Sequence, residues 1–111
     1  VLGFSSIKGL SNLENDVLRF VIRDNYKLIS EYCCGGYARL NNELVEFVNH
    51  FHTTQNIALD LIYTGKMMYG IMDLVARDYF SIGSSILAIH TGGLQGNRGV
   101  NERFLYDFPV N

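Results

Sequence analysis

The sequence predicts an α/β domain, a parallel open sheet with flanking helices. Three observations predict it. Short apolar runs alternate with segments whose apolar residues recur at helical spacing. One run, Ile86-Leu87-Ala88-Ile89, is too short for a buried helix and suits a strand covered on both faces, as parallel strands are. It stops at His90-Thr91-Gly92-Gly93, where two glycines allow positive φ and close approach of the backbone to a ligand. Open α/β sheets bind their ligands outside the carboxyl ends of the strands, which is where this turn falls. An ordinary Gly-Gly turn after a core strand would account for the same residues and stands as the alternative.

The totals set bounds. A chain of 111 residues suffices for one small domain. With 48% hydrophobic and 18% charged residues it is globular rather than disordered. A net charge of −2 without a basic run offers no electrostatic footprint for nucleic acid. No apolar segment reaches the roughly 18 residues that span a bilayer, and residues 1–10 lack the pattern of a secretory signal, so no membrane partner is expected. Cys33 and Cys34 are adjacent, a spacing that strains a disulfide and is not the Cys-x-x-Cys redox or zinc pattern. They read as reduced thiols of a cytoplasmic protein. The chain opens on Val-Leu-Gly-Phe without an initiator Met and reads as a piece of a longer polypeptide.

Taken in order, residues 1–5 form a short strand, with Gly3 allowing close packing. Residues 7–9 are a loop. Ser11 and Glu14 make a capping box, and Leu13, Val17, Phe20 and Val21 form the apolar stripe of a helix ending near Arg23-Asp24-Asn25. Residues 26–30 are the next strand. A loop over 31–40 is centred on Gly35-Gly36-Tyr37. Asn41 caps a second helix with Leu44, Phe47, Val48 and Phe51 on its stripe. His50 and His52, two residues apart near its end, point in different directions and share no metal easily, so no metal is expected. Residues 57–59 are a short extended piece, and Asp60 to Lys66 lead into a third helix with Met68, Ile71, Met72 and Val75 on one face. Gly65 and Gly70 cost that helix roughly 1 kcal/mol each against Ala, so each needs a steric reason. Residues 81–84 turn into a strand over 85–90. After Gly96 the chain is polar and then aromatic, with Phe104, Tyr106 and Phe108 but no period, packing on the body or on a partner subunit. The order is β-α-β-α-(β)-α-β, which means a parallel sheet with right-handed crossovers.

The residues that could carry chemistry lie at element ends. No Walker or Rossmann phosphate loop is present; Gly92-Gly93-x-x-Gly96 is a loose echo without a clear helix after it. No Ser-His-Asp set is legible, and Asp60, Asp73, Asp78 and Asp107 are scattered. His90 is either a base at a strand end or a core histidine bonded to backbone. The candidates are Tyr37 beside Gly-Gly, Tyr63-Thr64 at a helix start, and Thr91 at a strand end.

Tyr63-Thr64-Gly65-Lys66, followed by Ile-Leu-Ala-Ile-His90-Thr91-Gly92-Gly93, resembles the carboxyl-terminal part of a pyridoxal-phosphate family. It is the family of aminocyclopropane-carboxylate deaminase and D-cysteine desulfhydrase, within the tryptophan synthase β-like fold. The likeness extends along almost the whole chain, through the opening strand and the Gly-Gly-Tyr37 loop. It implies that residues 1–111 are the carboxyl-terminal portion of the cofactor-binding catalytic region, part of a three-layer α/β domain. Tyr37 and Tyr63 match the two active-site tyrosines, facing substrate and cofactor. Thr91 matches a polar residue near the pyridine nitrogen, with Gly92 and Gly93 shaping that wall. Thr64 stands where deaminases of the family have Glu and desulfhydrase-like members have Thr, which implies β-elimination of a good leaving group. Leu61 stands where the family carries Pro, which implies a looser approach to Tyr63. The Schiff-base lysine, the substrate-carboxylate loop and the phosphate loop belong to an earlier part of the family's chain; Lys8, Lys27 and Lys66 do not stand in that lysine's context. The resemblance therefore implies a pyridoxal 5'-phosphate enzyme that turns a small amino acid into a keto acid and ammonia. This piece would be inactive alone and would associate with the missing amino-terminal part or as a homo-oligomer. The reading from a different class is a non-catalytic α/β binding or interaction module.

Overall fold

The computed structural model describes residues 1–9 and 11–111, with Ser11 described by its backbone alone. It opens with strand β1 (Leu2–Phe4), helix α1 (Ser11–Leu18) and strand β2 (Lys27–Ile29). The two strands pair in parallel, Leu2 opposite Lys27, Gly3 opposite Leu28 and Phe4 opposite Ile29. Parallel neighbours need a crossover, and α1 supplies it. Helices α2 (Asn42–Gln55), α3 (Thr64–Ala76) and α4 (Asn97–Phe104) follow, the last preceded by a 3-10 turn at Leu94–Gly96. Among the described residues this is a small α/β arrangement on a two-stranded parallel sheet. None of the described helices is long and apolar enough to cross a membrane.

Helix α2 forms as its sequence predicts. The Asn41 side chain accepts the Leu44 N–H at 2.9 Å, and Asn56 ends the helix in the left-handed region at φ 54°. Helix α1 stops at Leu18, five residues short of the expected end. Its far stripe has nothing to pack on, with Phe20 86% exposed, and a short helix is held mainly by the face it buries. The capping box expected at Ser11 lies outside the described residues.

The core lies where α2 meets the segment before α3. Leu44 and Val48 of α2 pack with Leu59, Leu61 and Ile62, and Val100 of α4 and Phe108 close the cluster. The aromatic tail thus reaches the body through Phe108, which Asn101 fastens by accepting its N–H at 3.0 Å and donating to its carbonyl at 2.9 Å. The stretch after Gly96, expected to be aperiodic, is helical because Val100 can be buried on that cluster.

Three expectations are corrected. Residues 57–59 and 85–90 join no ladder. In the piece at 57–59 side chains take up backbone carbonyls, His90 that of Ala58 and Asn97 that of Leu59. The run at 86–89 flanks an apolar cleft of about 520 Å³ that separates it from Leu2 and Phe4, so no neighbouring N–H and C=O row is within reach, and Leu87 stays 86% exposed. On α3 the face turned inward is Thr64, Lys66, Gly70, Ile71 and Leu74, whereas Met72 and Val75 are exposed. Gly70 decides that rotation. A Cβ there would meet Phe4 Cε1 at 2.6 Å and Tyr32 Cδ2 at 2.7 Å, so only a bare backbone lets α3 lie on β1. The steric reason expected for Gly70 is therefore contact with the strand.

Two alanine substitutions should move stability in opposite directions. Gly99 of α4 has open space around it and an ordinary φ, so Gly99→Ala should raise stability by up to about 1 kcal/mol through helix propensity. Gly70→Ala should lower it by about 1–3 kcal/mol through overpacking against Phe4 and Tyr32. Denaturant unfolding of the two variants beside the wild type checks the opposite signs.

Candidate functional site

The candidate site is assembled around the start of α3. The first amides of a helix have no partner inside it. Here one residue meets them. Asp60 is fully buried, and its carboxylate accepts the N–H groups of Ile62 at 2.9 Å, Tyr63 at 2.7 Å and Thr64 at 2.9 Å. It also accepts the Thr64 hydroxyl, while Thr64 Oγ1 accepts the Asp60 N–H at 3.0 Å. The Asp60 carbonyl takes the Gly65 N–H at 2.7 Å. Gly65 is required by this closeness, because a Cβ would stand 2.5 Å from that carbonyl oxygen and 2.8 Å from Val48 Cγ2.

The turn throws Tyr63 outward. Its ring lies 6.0 Å from that of Tyr37, centroid to centroid, and both rings are exposed, at 49% and 57%. The same carboxylate reaches the other predicted element: a Cβ on Gly93 would lie 3.2 Å from Asp60 Oδ2. Gly92 and Gly93 hold φ of 82° and 96°, the left-handed region that glycine tolerates, so the turn can run this close to the buried acid. Thr91 is exposed beside them. The structure therefore sets Tyr63 and Gly93 on one acid, with the Tyr37 ring beside that of Tyr63 and with Thr91 and Gly92 next along the glycine turn. Thr64 sits beneath, 2% exposed, its hydroxyl engaged with Asp60 rather than turned outward.

His90 is bonded to backbone through both ring nitrogens. Nδ1 accepts the Gly92 N–H at 3.0 Å, which assigns the proton to Nε2, 2.9 Å from the Ala58 carbonyl it donates to. It shapes the turn from an exposed position rather than from the core.

Asp60 and Asn97 were not singled out as site residues in the sequence. A signal for Asp60 existed: an acid four residues before a Thr at a helix start can close such a turn. Asn97, also fully buried, accepts the Leu61 N–H at 3.0 Å and donates to the carbonyls of Leu59 at 3.3 Å and Pro109 at 2.8 Å. The looser approach expected from Leu61 is thereby corrected. A proline there could not make the bond to Asn97, and Leu61 itself is fully buried in the core, so this residue fastens the approach to Tyr63.

The electrostatics follow the contacts. The Tyr37 hydroxyl beside it, and then burial, hold the Tyr63 phenol above the ordinary tyrosine range. On another face, Tyr32 donates to Asp73 Oδ2 at 2.7 Å and Tyr69 to Glu43 Oε2 at 3.1 Å. The bond to Asp73 raises the Tyr32 phenol; burial, then the Glu43 bond, raises that of Tyr69. Both line a cleft of about 520 Å³ to which neither Tyr37 nor Tyr63 contributes. Burial pushes the Cys34 thiol up, with Lys66 acting against it.

No family model matches the chain. Curated proteins do, among them three named "Putative 1-aminocyclopropane-1-carboxylate deaminase". The Pyrococcus abyssi protein is 33% identical over 90 residues, 81% of this chain and 27% of its own length. The Pyrococcus furiosus protein is 30% identical over 106 residues, covering 93% of this chain and 32% of its own length. That of Pyrococcus horikoshii is 35% identical over 75 residues, 68% of this chain and 22% of its own length. This chain resembles the aminocyclopropane-carboxylate deaminases. The resemblance read from its motifs is thus shown by whole-segment similarity as well. The chain spans about a third or less of the length of the curated relatives it matches.

Removing the acid should undo the site's frame. Asp60→Ala leaves the buried Ile62 and Thr64 amides without acceptors, at roughly 1–3 kcal/mol each, so the chain should lose about 3 kcal/mol or more in denaturant unfolding. A phenol raised by folding contributes stability below the unfolded value, near pH 10, that is lost as pH rises through the folded one. An ultraviolet titration should therefore show Tyr32, Tyr63 and Tyr69 ionising after ordinary tyrosines, with the melting temperature falling above about pH 10. Tyr37→Phe should bring the Tyr63 step down and leave the other two in place.

Proposed function

We propose that this chain is the carboxyl-terminal portion of a pyridoxal-phosphate-dependent enzyme that converts a small amino acid to a keto acid and ammonia. The observation that carries the reading is the buried Asp60 carboxylate, which accepts the Tyr63 N–H and lies against the Gly93 turn, with the Tyr37 ring set beside that of Tyr63. Similarity to the three deaminase-named Pyrococcus proteins supports it. In this reading the parallel β1-β2 pair and its helices are part of a tryptophan synthase β-like three-layer domain.

The residues present fit one wall of a pyridoxal-phosphate site. Two exposed phenols offer ring faces and O–H donors, and positive-φ glycines leave room for a planar group to approach. The anchoring amine is not at that wall. The Lys66 ammonium is held by two backbone carbonyls, that of Lys27 lies 3.1 Å from the Tyr79 hydroxyl, and Lys8 is on the surface beside Gly36. Bound pyridoxal phosphate would supply the electron sink for cleaving bonds at the amino-acid α-carbon. The chain's own residues position and protonate. Tyr63 keeps its proton on Oη to higher pH than a free tyrosine, so it meets a substrate as a hydrogen-bond donor and not as a base. Thr91, Gly92 and Gly93 would hold the pyridine side of the bound cofactor, and Thr64, bonded to Asp60, would support the start of α3 beneath Tyr63. The comparison of Thr64 with the family's Glu gives the leaving-group preference: an amino acid with a good β-leaving group such as a thiolate is the substrate to try, although the Thr64 hydroxyl itself is turned to Asp60.

Adding pyridoxal phosphate to the full-length protein should give the visible absorbance band of the bound cofactor and release of ammonia from such an amino acid. Tyr63→Phe should lower turnover by about a hundredfold while leaving cofactor affinity within a few fold. A full-length protein that shows no bound-cofactor band would overturn the enzyme reading and favour a non-catalytic module. A loss confined to cofactor affinity would overturn the role of Tyr63.

A further inference from the structure

Lys66 is the largest fully buried side chain among the described residues, 1% exposed. Lysines ordinarily run their stem along apolar surface and leave the ammonium in water. This one is enclosed, and burial lowers its pKa, meaning that the fold acts against its charge. An apolar side chain of similar volume would fill the space without that conflict. What the ammonium does there is specific. It donates to the Cys33 carbonyl at 2.8 Å and to the Gly36 carbonyl at 2.8 Å.

Those carbonyls belong to a loop that needs holding. Cys34, Gly35, Gly36 and Ala38 all take positive φ, at 52°, 92°, 127° and 51°. Two of the four are not glycine, and such residues persist only where their surroundings over-determine them. Within the loop, the Gly36 N–H also bonds to the Cys33 carbonyl, at 3.0 Å, so the two carbonyls that Lys66 grips are the ends of one closed turn. Tyr37 is the next residue. At the other end of the tether, Lys66 lies three residues after Tyr63 in the first turn of α3. The link therefore joins the two backbones that carry the paired phenols, their rings tilted by 57°, each within one turn of its tyrosine.

We infer that Lys66 is a positioning residue, an internal tether that fixes the loop of Tyr37 against the helix start of Tyr63 and so sets the geometry of that pair. Its bearing on turnover rests on the proposed enzyme reading, but its bearing on the pair does not. It also takes the Lys66 amine out of any role as a nucleophile.

The test is Lys66→Met in the full-length protein, a change that keeps volume and removes the donors. The tether predicts that chymotrypsin cleaves after Tyr37 about tenfold faster under native conditions. It also predicts that the delayed Tyr63 step, identified by comparison with Lys66→Met combined with Tyr63→Phe, returns to the ordinary tyrosine range. With an amino-acid substrate, kcat should fall about tenfold with KM little changed. A folded Lys66→Met protein with the cleavage rate and the Tyr63 step of the wild type overturns the inference. If the variant does not fold, amide hydrogen exchange in the wild type decides. Exchange over residues 33–38 as slow as in α3 supports the tether, and exchange as fast as in residues 105–107 overturns it. A protein without cofactor-dependent activity would defeat the proposed function alone, since cleavage, titration and exchange still report on Lys66.

Discussion

The structure depends on one buried carboxylate. Asp60 lies between the core segment that precedes it and the helix that follows, and it is enclosed by both. A buried charge is tolerated only when its lone pairs are met. Three backbone amides and a hydroxyl meet them here. The arrangement couples three things that could otherwise vary independently: where α3 begins, which way Tyr63 points, and how near the Gly92-Gly93 turn can come. Gly65 and Gly93 are small because this acid and its carbonyl occupy the space a side chain would need.

Where a residue acts on its own neighbours, the sequence was readable. Asn41 reaches an amide three positions away, and its cap could be inferred from its type and place. The β-α-β opening was legible for the same reason, since the crossover and both strands lie within 30 residues. Tyr37, Tyr63, Thr91, Gly92 and Gly93 could be nominated because motifs carry them, and the structure sets the Tyr37 ring beside that of Tyr63 and Gly93 against Asp60. Asn97 could not be read, because its partners lie 36 and 38 positions before it and 12 after it, and nothing local marks a residue that satisfies distant backbone. The rotation of α3 was misread for a related reason. Its apolar residues wrap more than one face, and the choice among them was made by Phe4 and Tyr32 pressing on Gly70.

The run at residues 86–89 shows what composition alone does not settle. Four apolar residues have strand propensity, but a strand exists only when a neighbour offers an unpaired backbone edge at ladder distance. Among the described residues β1 has β2 on one side and an apolar cleft on the other. Leu87 and Ile89 stay exposed beside that cleft, part of an uncovered apolar face. The Gly-Gly turn after this run is nevertheless in place, because His90 and Asp60 locate it independently of any sheet.

The Asn97 clamp has a consequence for the order in which the chain matures. Synthesis delivers Asp60, Tyr63 and α3 first, and domains assemble in that direction. The Leu59 carbonyl and the Leu61 amide then wait through some 36 further residues before Asn97 arrives, and Asn97 is itself held by Pro109. Until that point two backbone groups in the approach to Tyr63 remain bonded to water and the core cluster lacks Val100 and Phe108. The approach to Tyr63 is therefore fastened only once residues 97–109 are in place, a dependence set by the position of a single asparagine.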